Sequence, residues 1–482
     1  MIIKRRLLYL IMALSGLVLS GLLAISLVRQ ADGLPLEEEV SVTDLNDIFE
    51  RGVLRASTNY NSTNYFIYRG EPMGFHLELL RLFASDLGVE LEVFITNNLE
   101  ENFECLLEQD ACDLIAMDLT VTNDRRKILS FTAPHTYTRQ VLVQRKTYNP
   151  YTWQQSVSRQ PALQRQTDLG GKTIHVQKGT AYVSRLESLM NEIGDTIHIV
   201  EMDVTTENLI EMVATGDIDF TVSDEHLARL NSRYYTNLDV HLPLSFDQQL
   251  SWAVKPGADD LLQAINDWLT GYRETREYVL LYNKYYNNPR SIYRAKSSRH
   301  SLGGGKISDY DQYFKQYASL VGWDWKLLAS LAFQESRFDP EAVSWAGAFG
   351  VMQLMPETAE SLNIEPESPV ADHIRAGASY LRWLDGIMAK HIDNENERIK
   401  FVLAAYNVGI GHVLDARRLA EKYGKDPNIW KDNVDYYILN KSKPKYYRDP
   451  VVRFGYARGS EPYRYVYEIL ERYAHYRNAL AG

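Results

Sequence analysis

Cysteine is nearly absent: Cys105 and Cys112 are the two in 482 residues. No Cys-x-x-Cys and no His-Glu-x-x-His occurs, so metal chemistry has no support and no cofactor is expected. Gly-x-Ser-x-Gly is missing as well, which removes the strand-to-helix nucleophile turn of many hydrolases. Gly303-Gly304-Gly305 lacks the lysine and the strand–helix context of a phosphate loop and reads as linker. A basic surplus is also lacking. The net charge of −11 leaves no basic surplus to neutralise phosphates, which argues against nucleic acid as a partner. In an oxidising compartment the two cysteines could pair. Cys105 falls in a helical pattern, however, and Cys112 just before an apolar strand-like run, so two buried, unpaired thiols are expected.

What is present begins with export. Lys4-Arg5-Arg6 precede an uncharged, mostly apolar run of 22 residues, Leu7 to Val28, closed by Arg29. This is the charged start and apolar core of an export signal, long enough to span a bilayer. Residues 1–33 are therefore expected to be a cleaved signal peptide or an uncleaved signal anchor, with membrane association. No cysteine precedes Cys105, which excludes a lipid-modified cysteine near the start. The remaining length suits about three compact units.

From Arg51 to Arg290, short strands alternate with helices. Val53–Ser57, Leu91–Ile95 and Asp113–Met117 read as strands, with helices over Gly74–Leu87 and Leu99–Glu108 between them. A second such unit runs from Lys172–Val176 to Ile218–Val222, and Ser251–Val254 with a helix near Asp259–Tyr272 returns the chain to the first. The rhythm predicts parallel sheets in two α/β lobes, a clamshell with its ligand in the hinge cleft. Residues 291–306, rich in Ser and Gly, read as a linker. Beyond it, 307–482 is helical by pattern.

One carboxylate in that helical part lies on the wrong side of its helix. Asp324 is an N-cap and Pro340 a stop, and Leu327, Leu331 and Glu335 recur every four residues between them. Glu335 thus falls at the end of the apolar face, where burial disfavours its charged form. A general acid needs that. Asp339 and Glu341 follow the stop and read as solvated loop charges, so no second acid is placed beside it.

The Glu335-Ser336 pair, the loop Gly350-x-Met352-Gln353-x-Met355-Pro356, and Ala405-Tyr406-Asn407 with Gly409 together resemble the lytic transglycosylase domain of the goose-lysozyme-like superfamily. The resemblance implies an all-α catalytic domain acting on peptidoglycan glycan strands, with Glu335 as a single acid and base. It carries over Ser336, Ser344, Met352, Gln353, Tyr406, Asn407 and Tyr465 as substrate-binding or orienting residues. The earlier part resembles the periplasmic amino-acid-binding proteins through Met73-Gly74-Phe75, Thr122-Asn123-Asp124-Arg125, Lys178-Gly179-Thr180 and Val222-Ser223-Asp224. That likeness implies Arg125 on a ligand α-carboxylate, Asp224 on its α-amino group, and Thr180 and Phe66 completing the cleft. An amino acid or muropeptide is the implied ligand. His135 stands where that family usually has Tyr.

The expected fold is thus multidomain: a solute-binding-like clamshell over 34–290, then a transglycosylase domain over 307–482. The fusion resembles a family of membrane-bound murein transglycosylases, which implies a periplasm-facing protein peripheral on the outer membrane. Two other readings fit the residues: a lysozyme-like hydrolase on the same fold, or a binding protein with an inactive helical domain.

Overall fold

Glycines and caps set the first lobe's rhythm. The helix Phe75–Leu87 ends at Gly88, whose positive φ of 73° reverses the chain into the strand Glu90–Ile95. That strand pairs in parallel with Val53–Thr58, which pairs in parallel with Leu114–Thr120. The structure, a computed structural model, describes residues 43–108, 110–146, 162–288 and 306–479. The export signal and the linker, Lys306 apart, lie outside the described residues. Among those described, no helix is long and apolar enough to cross a membrane.

The first sheet runs Glu90–Ile95, Val53–Thr58, Leu114–Thr120, Gln248–Val254, Ser130–Phe131, with Thr136–Thr138 also on Gln248–Val254. The second runs His198–Met202, Thr173–Gln177, Phe220–Asp224, Gln140–Arg145, Leu238–Asp239. Neither sheet is purely parallel as expected. Gln248–Val254 lies antiparallel to Leu114–Thr120, and Gln140–Arg145 antiparallel to Phe220–Asp224. These are the strands on which the chain crosses between lobes, and a chain arriving from the far lobe enters from the opposite end. The apolar run Leu114-Ile115-Ala116 is wholly buried, as a central strand covered on both faces should be.

Cys105 and Cys112 are joined, contrary to the expected free thiols. The helix Leu99–Leu107 ends in a tight reversal in which the amides of Ala111 and Cys112 both donate to the Cys105 carbonyl, at 3.0 and 3.2 Å. This folds the chain back and leaves the two Cα atoms 5.4 Å apart, within disulfide reach.

The helical domain is built around Trp325–Ser336, the acid helix. Asp324 caps it, accepting from the Lys326 amide at 2.9 Å. Residues Leu327 through Phe333 are all buried, so the helix forms the domain's centre rather than a surface layer. It stops at Ser336, earlier than Pro340 would impose, because Arg337 and Phe338 turn left-handed with φ of 53° and 64°. Asp311–Tyr317 and the closing helix Ser460–Ala479 pack directly on it, and Val370–Met388, Glu395–Val408 and Ile410–Lys422 complete the same core. Ser330 donates to the Ile469 carbonyl at 2.7 Å, which fixes the closing helix against the acid helix.

The described residues from Asp44 onward form one compact unit, so clamshell and helical domain pack together. The turn at Gly70, from the first lobe, reaches the acid helix. A Cβ there would lie 2.5 Å from the Phe338 ring and 2.7 Å from Phe333, and φ is 81°. Only glycine fits. The Tyr476 hydroxyl of the closing helix donates to the Gly70 carbonyl, and Arg81 bridges to Glu471 at 3.0 Å.

The disulfide closes a loop of few residues, for which chain entropy predicts about 2 kcal/mol. Replacing both cysteines with serine should lower the urea midpoint of the clamshell accordingly. An unchanged midpoint, with and without reductant, would contradict it.

Candidate active site

Glu335 occupies the last turn of the acid helix, partly open to solvent. The Tyr465 hydroxyl, on the closing helix, donates to its Oε1. Burial pushes the Glu335 carboxyl up to about 7, the Tyr465 hydrogen bond pulls it down, and the Glu461 charge adds to the rise. Burial wins, because one donated hydrogen bond does not replace a full hydration shell. Among the described residues no second carboxylate is hydrogen-bonded to Glu335, and Asp339 and Glu341 are exposed.

The loop after the acid helix is tied to its end. Ser336 Oγ donates to the Val351 carbonyl at 2.9 Å, and the Tyr406 hydroxyl to the Met352 carbonyl at 2.7 Å. Gln353 sits at φ 47° and donates its side-chain amide to the Ala342 and Gly350 carbonyls. Ser344 Oγ accepts from the Ala348 amide at 3.0 Å, closing a small hairpin. Asn407 follows Tyr406 at the end of Glu395–Val408, half-buried. Pro356 opens the next helix, as expected of proline at a first turn. Met352 differs from expectation. Its side chain is fully buried against Gly377, so the backbone carbonyl, not the thioether, faces the site's tyrosine.

The clamshell cleft holds Arg125, Thr180 and Asp224 together, around a cavity of about 100 Å³. Phe66 is elsewhere: it is buried in Phe66–Tyr68, edge-on to Tyr285 at 6.1 Å. Tyr60 and Tyr182 are the aromatics that line the cleft. Asp224 Oδ2 accepts from the Tyr182 hydroxyl at 3.2 Å, while its buried Oδ1 has no hydrogen-bond partner among the described residues. Burial raises the Asp224 carboxyl to about 6, with His226 opposing. Arg125 donates to the carbonyls of Thr120 and, across the lobes, Gly179 at 3.2 Å. Ser62 with Glu207 and Asp118 with His226 also bridge the lobes, at 3.0 and 3.4 Å.

Asp118 and His226 were not foreseen from sequence. Asp118 lies towards the carboxyl end of Leu114–Thr120, where open α/β sheets gather their ligand groups, and that position was the available signal. His76, Asp118 and His135 come close enough to suggest a metal. The protons argue against one. Trp252 Nε1, a donor only, points at His76 Nδ1 at 3.0 Å, so the other ring nitrogen carries the proton and gives it to Asp118. His135 Nε2 faces the Met117 carbonyl at 3.3 Å, again a donor's position. The lone pairs do not converge, whereas metal-bound histidines donate outward.

A two-lobed clamshell fused to a helical domain with one sheltered carboxyl defines a class: a solute-binding-like module joined to a helical module that holds a candidate general acid. Comparison with known proteins agrees. The model of the bacterial extracellular solute-binding proteins, family 3, matches residues 54–288, and that of the transglycosylase SLT domain matches residues 312–429. A membrane-bound lytic murein transglycosylase F of Desulfosudis oleivorans is 34% identical over 90% of this chain and 92% of its own. One of Photobacterium profundum is 32% identical over 90% and 82%. Among solved structures, holo ArgBP from T. maritima shares 25% identity over 49% of this chain and 97% of its own, with a TM-score of 0.40. The chain belongs to the membrane-bound lytic murein transglycosylase F family, lyases that act on peptidoglycan.

Replacing Tyr465 with Phe removes the donor that holds the Glu335 charge. The alkaline limb of the pH–activity profile should move up, and kcat should fall on the order of tenfold. A limb that stays in place would show that the hydroxyl does not govern Glu335.

Proposed function

We propose that Glu335 alone carries the reaction, first as acid and then as base. It protonates the glycosidic oxygen between N-acetylmuramic acid and N-acetylglucosamine. It then takes the proton from the muramoyl C6 hydroxyl, which closes onto C1 as a 1,6-anhydro ring. The supporting observation is the isolated carboxyl, buried enough to titrate near 7 and touched by a tyrosine rather than a second acid. An intramolecular hydroxyl needs no held water, and proximity of this kind is worth on the order of 7–11 kcal/mol. A water-adding enzyme would instead need a second carboxylate to activate the water. Ser344, Gln353, Tyr406 and Asn407 bound the groove where the saccharide lies, within a catalytic module spanning 307–482.

The clamshell, 34–290, senses an amino acid or a muropeptide and modulates cleavage. Arg125 suits a carboxylate, and the unpaired Oδ1 of Asp224 suits an ammonium. The cavity of about 100 Å³ holds only a small ligand, so a muropeptide requires the lobes to part. Gly70 gives such motion a route to the acid helix. The protein is exported and faces the periplasm; the family's name says membrane-bound, and the attachment is peripheral on the outer membrane, with an inner-membrane signal anchor as the alternative.

Residues 34–482 and the same chain with Glu335→Gln should be incubated with purified peptidoglycan and the products weighed. Anhydro-muropeptides from the unaltered chain, reduced at least about 100-fold in the variant, are expected. Reducing ends would support the hydrolase instead. Activity should fall as pH rises through about 7, where Glu335 loses the proton it must donate.

The same substitution tests the burial. A carboxyl raised above its unfolded value stabilises the fold less as pH climbs from about 4.5 to about 7, because over that range the unfolded chain releases the proton while the folded state still holds it. Glu335→Gln should therefore gain on the order of 3 kcal/mol over the unaltered chain at pH 8. That gain should vanish near pH 4; equal melting at both pH values would contradict it. For the clamshell, calorimetric titration with amino acids and muropeptides should give heat that Asp224→Asn abolishes. No heat from any of them would sink the sensing role.

A further inference from the structure

The helix Val370–Met388 carries a row that starts under the active-site loop and runs outward. Gly377, Tyr380 and Trp383 recur every three residues, one face of a helix. Gly377 lies beneath Met352, and a Cβ on it would come within 2.5 Å of that side chain. One turn on, the Tyr380 ring packs against Tyr406 with centroids 5.4 Å apart. Burial raises the Tyr406 hydroxyl's pKa and the charge of Glu335 adds to the rise, so this end of the row lies within electrostatic reach of that carboxylate. One turn further, Trp383 stacks on Tyr380 at 5.7 Å, the planes only 15° apart. Exposure grows along the row, from a buried glycine through a half-buried tyrosine to a tryptophan that is 54% exposed.

The arrangement differs from ordinary packing. Trp430 and Trp252 are fully buried, as large aromatics that hold a core together are. Trp383 leaves more than half its surface in water while its other face rests on Tyr380, so the indole is held without being consumed. Six residues at about 1.5 Å each put it roughly 9 Å along the helix from Gly377. Trp383 therefore stands outward of the end of the row that lies nearest Glu335. Pyranose rings present a flat face of C–H groups, and burying that face against indole removes apolar surface from both.

We propose that Trp383, backed by Tyr380, is an outer saccharide subsite that stacks a sugar ring of the glycan strand beyond the pair being cleaved. It acts by binding alone. It therefore makes the enzyme prefer long strands over short fragments, and it leaves the proton transfers at Glu335 untouched.

The test is steady-state cleavage by the full chain of peptide-free glycan strands, long and tetrasaccharide-length, with Trp383→Ala and Trp383→Phe. For long strands Trp383→Ala should raise KM about tenfold, the scale on which losing one aromatic stacking face weakens binding, with kcat unchanged. Trp383→Phe, which keeps a stacking face, should restore most of the KM. The tetrasaccharide should show a smaller effect. Unchanged KM in Trp383→Ala, an equal loss on both substrates, or a fall in kcat without a rise in KM would each overturn the proposal. The KM readout does not depend on Glu335 being the sole acid, so the two readings fail separately.

Discussion

The withdrawal of one carboxyl from water is the constraint on which the proposed reaction depends. Glu335 sits where the apolar face of a central helix ends, and burial there outweighs the hydrogen bond that Tyr465 gives it. A fully solvated glutamate would be ionised at neutral pH and useless as an acid. A wholly enclosed one could not meet substrate. The left-handed pair Arg337 and Phe338 ends the helix immediately after Ser336, which keeps the acid at an edge rather than inside a longer helix.

That edge is maintained from two directions. The closing helix brings Tyr465 to Glu335 and, further along, Glu471, Tyr476 and Asn478 to the first lobe; the last donates to the Val93 carbonyl at 2.9 Å. The Gly70 turn presses on Phe333 and Phe338, either side of the acid. A shift of the first lobe would therefore be felt at residues that flank Glu335 in the chain. Cleft and acid share one packed body, although they lie far apart in the chain.

Much of this was legible in the residues. The alternation of strands and helices, the crossing back to the first lobe, and the helix that carries Glu335 all follow from periodicity and caps. These report neighbours two to four residues apart, and they place such neighbours well. Arg125, Thr180 and Asp224 did meet in one cleft. Phe66 did not, because a strand residue's face depends on register and partner, and its ring turned to Tyr285. Met352 went inward for a related reason: Gly377 left a space that only a side chain from the facing loop could fill.

The sequence by itself determined the order of modules, the class of each lobe, and which carboxylate would be the unusual one. Spacing along a helix is local, and an apolar stripe announces its burial. Only the tertiary structure decided what touches that carboxylate. Tyr465 lies 130 residues from Glu335, and its hydroxyl arrives through the packing of two helices, fixed by Ser330 on Ile469. The joining of Cys105 to Cys112 and the bridging of Asp118 to His226 are of the same kind. Each depends on how the backbone folds back or how two lobes close, and no periodicity in the chain encodes the distance that results.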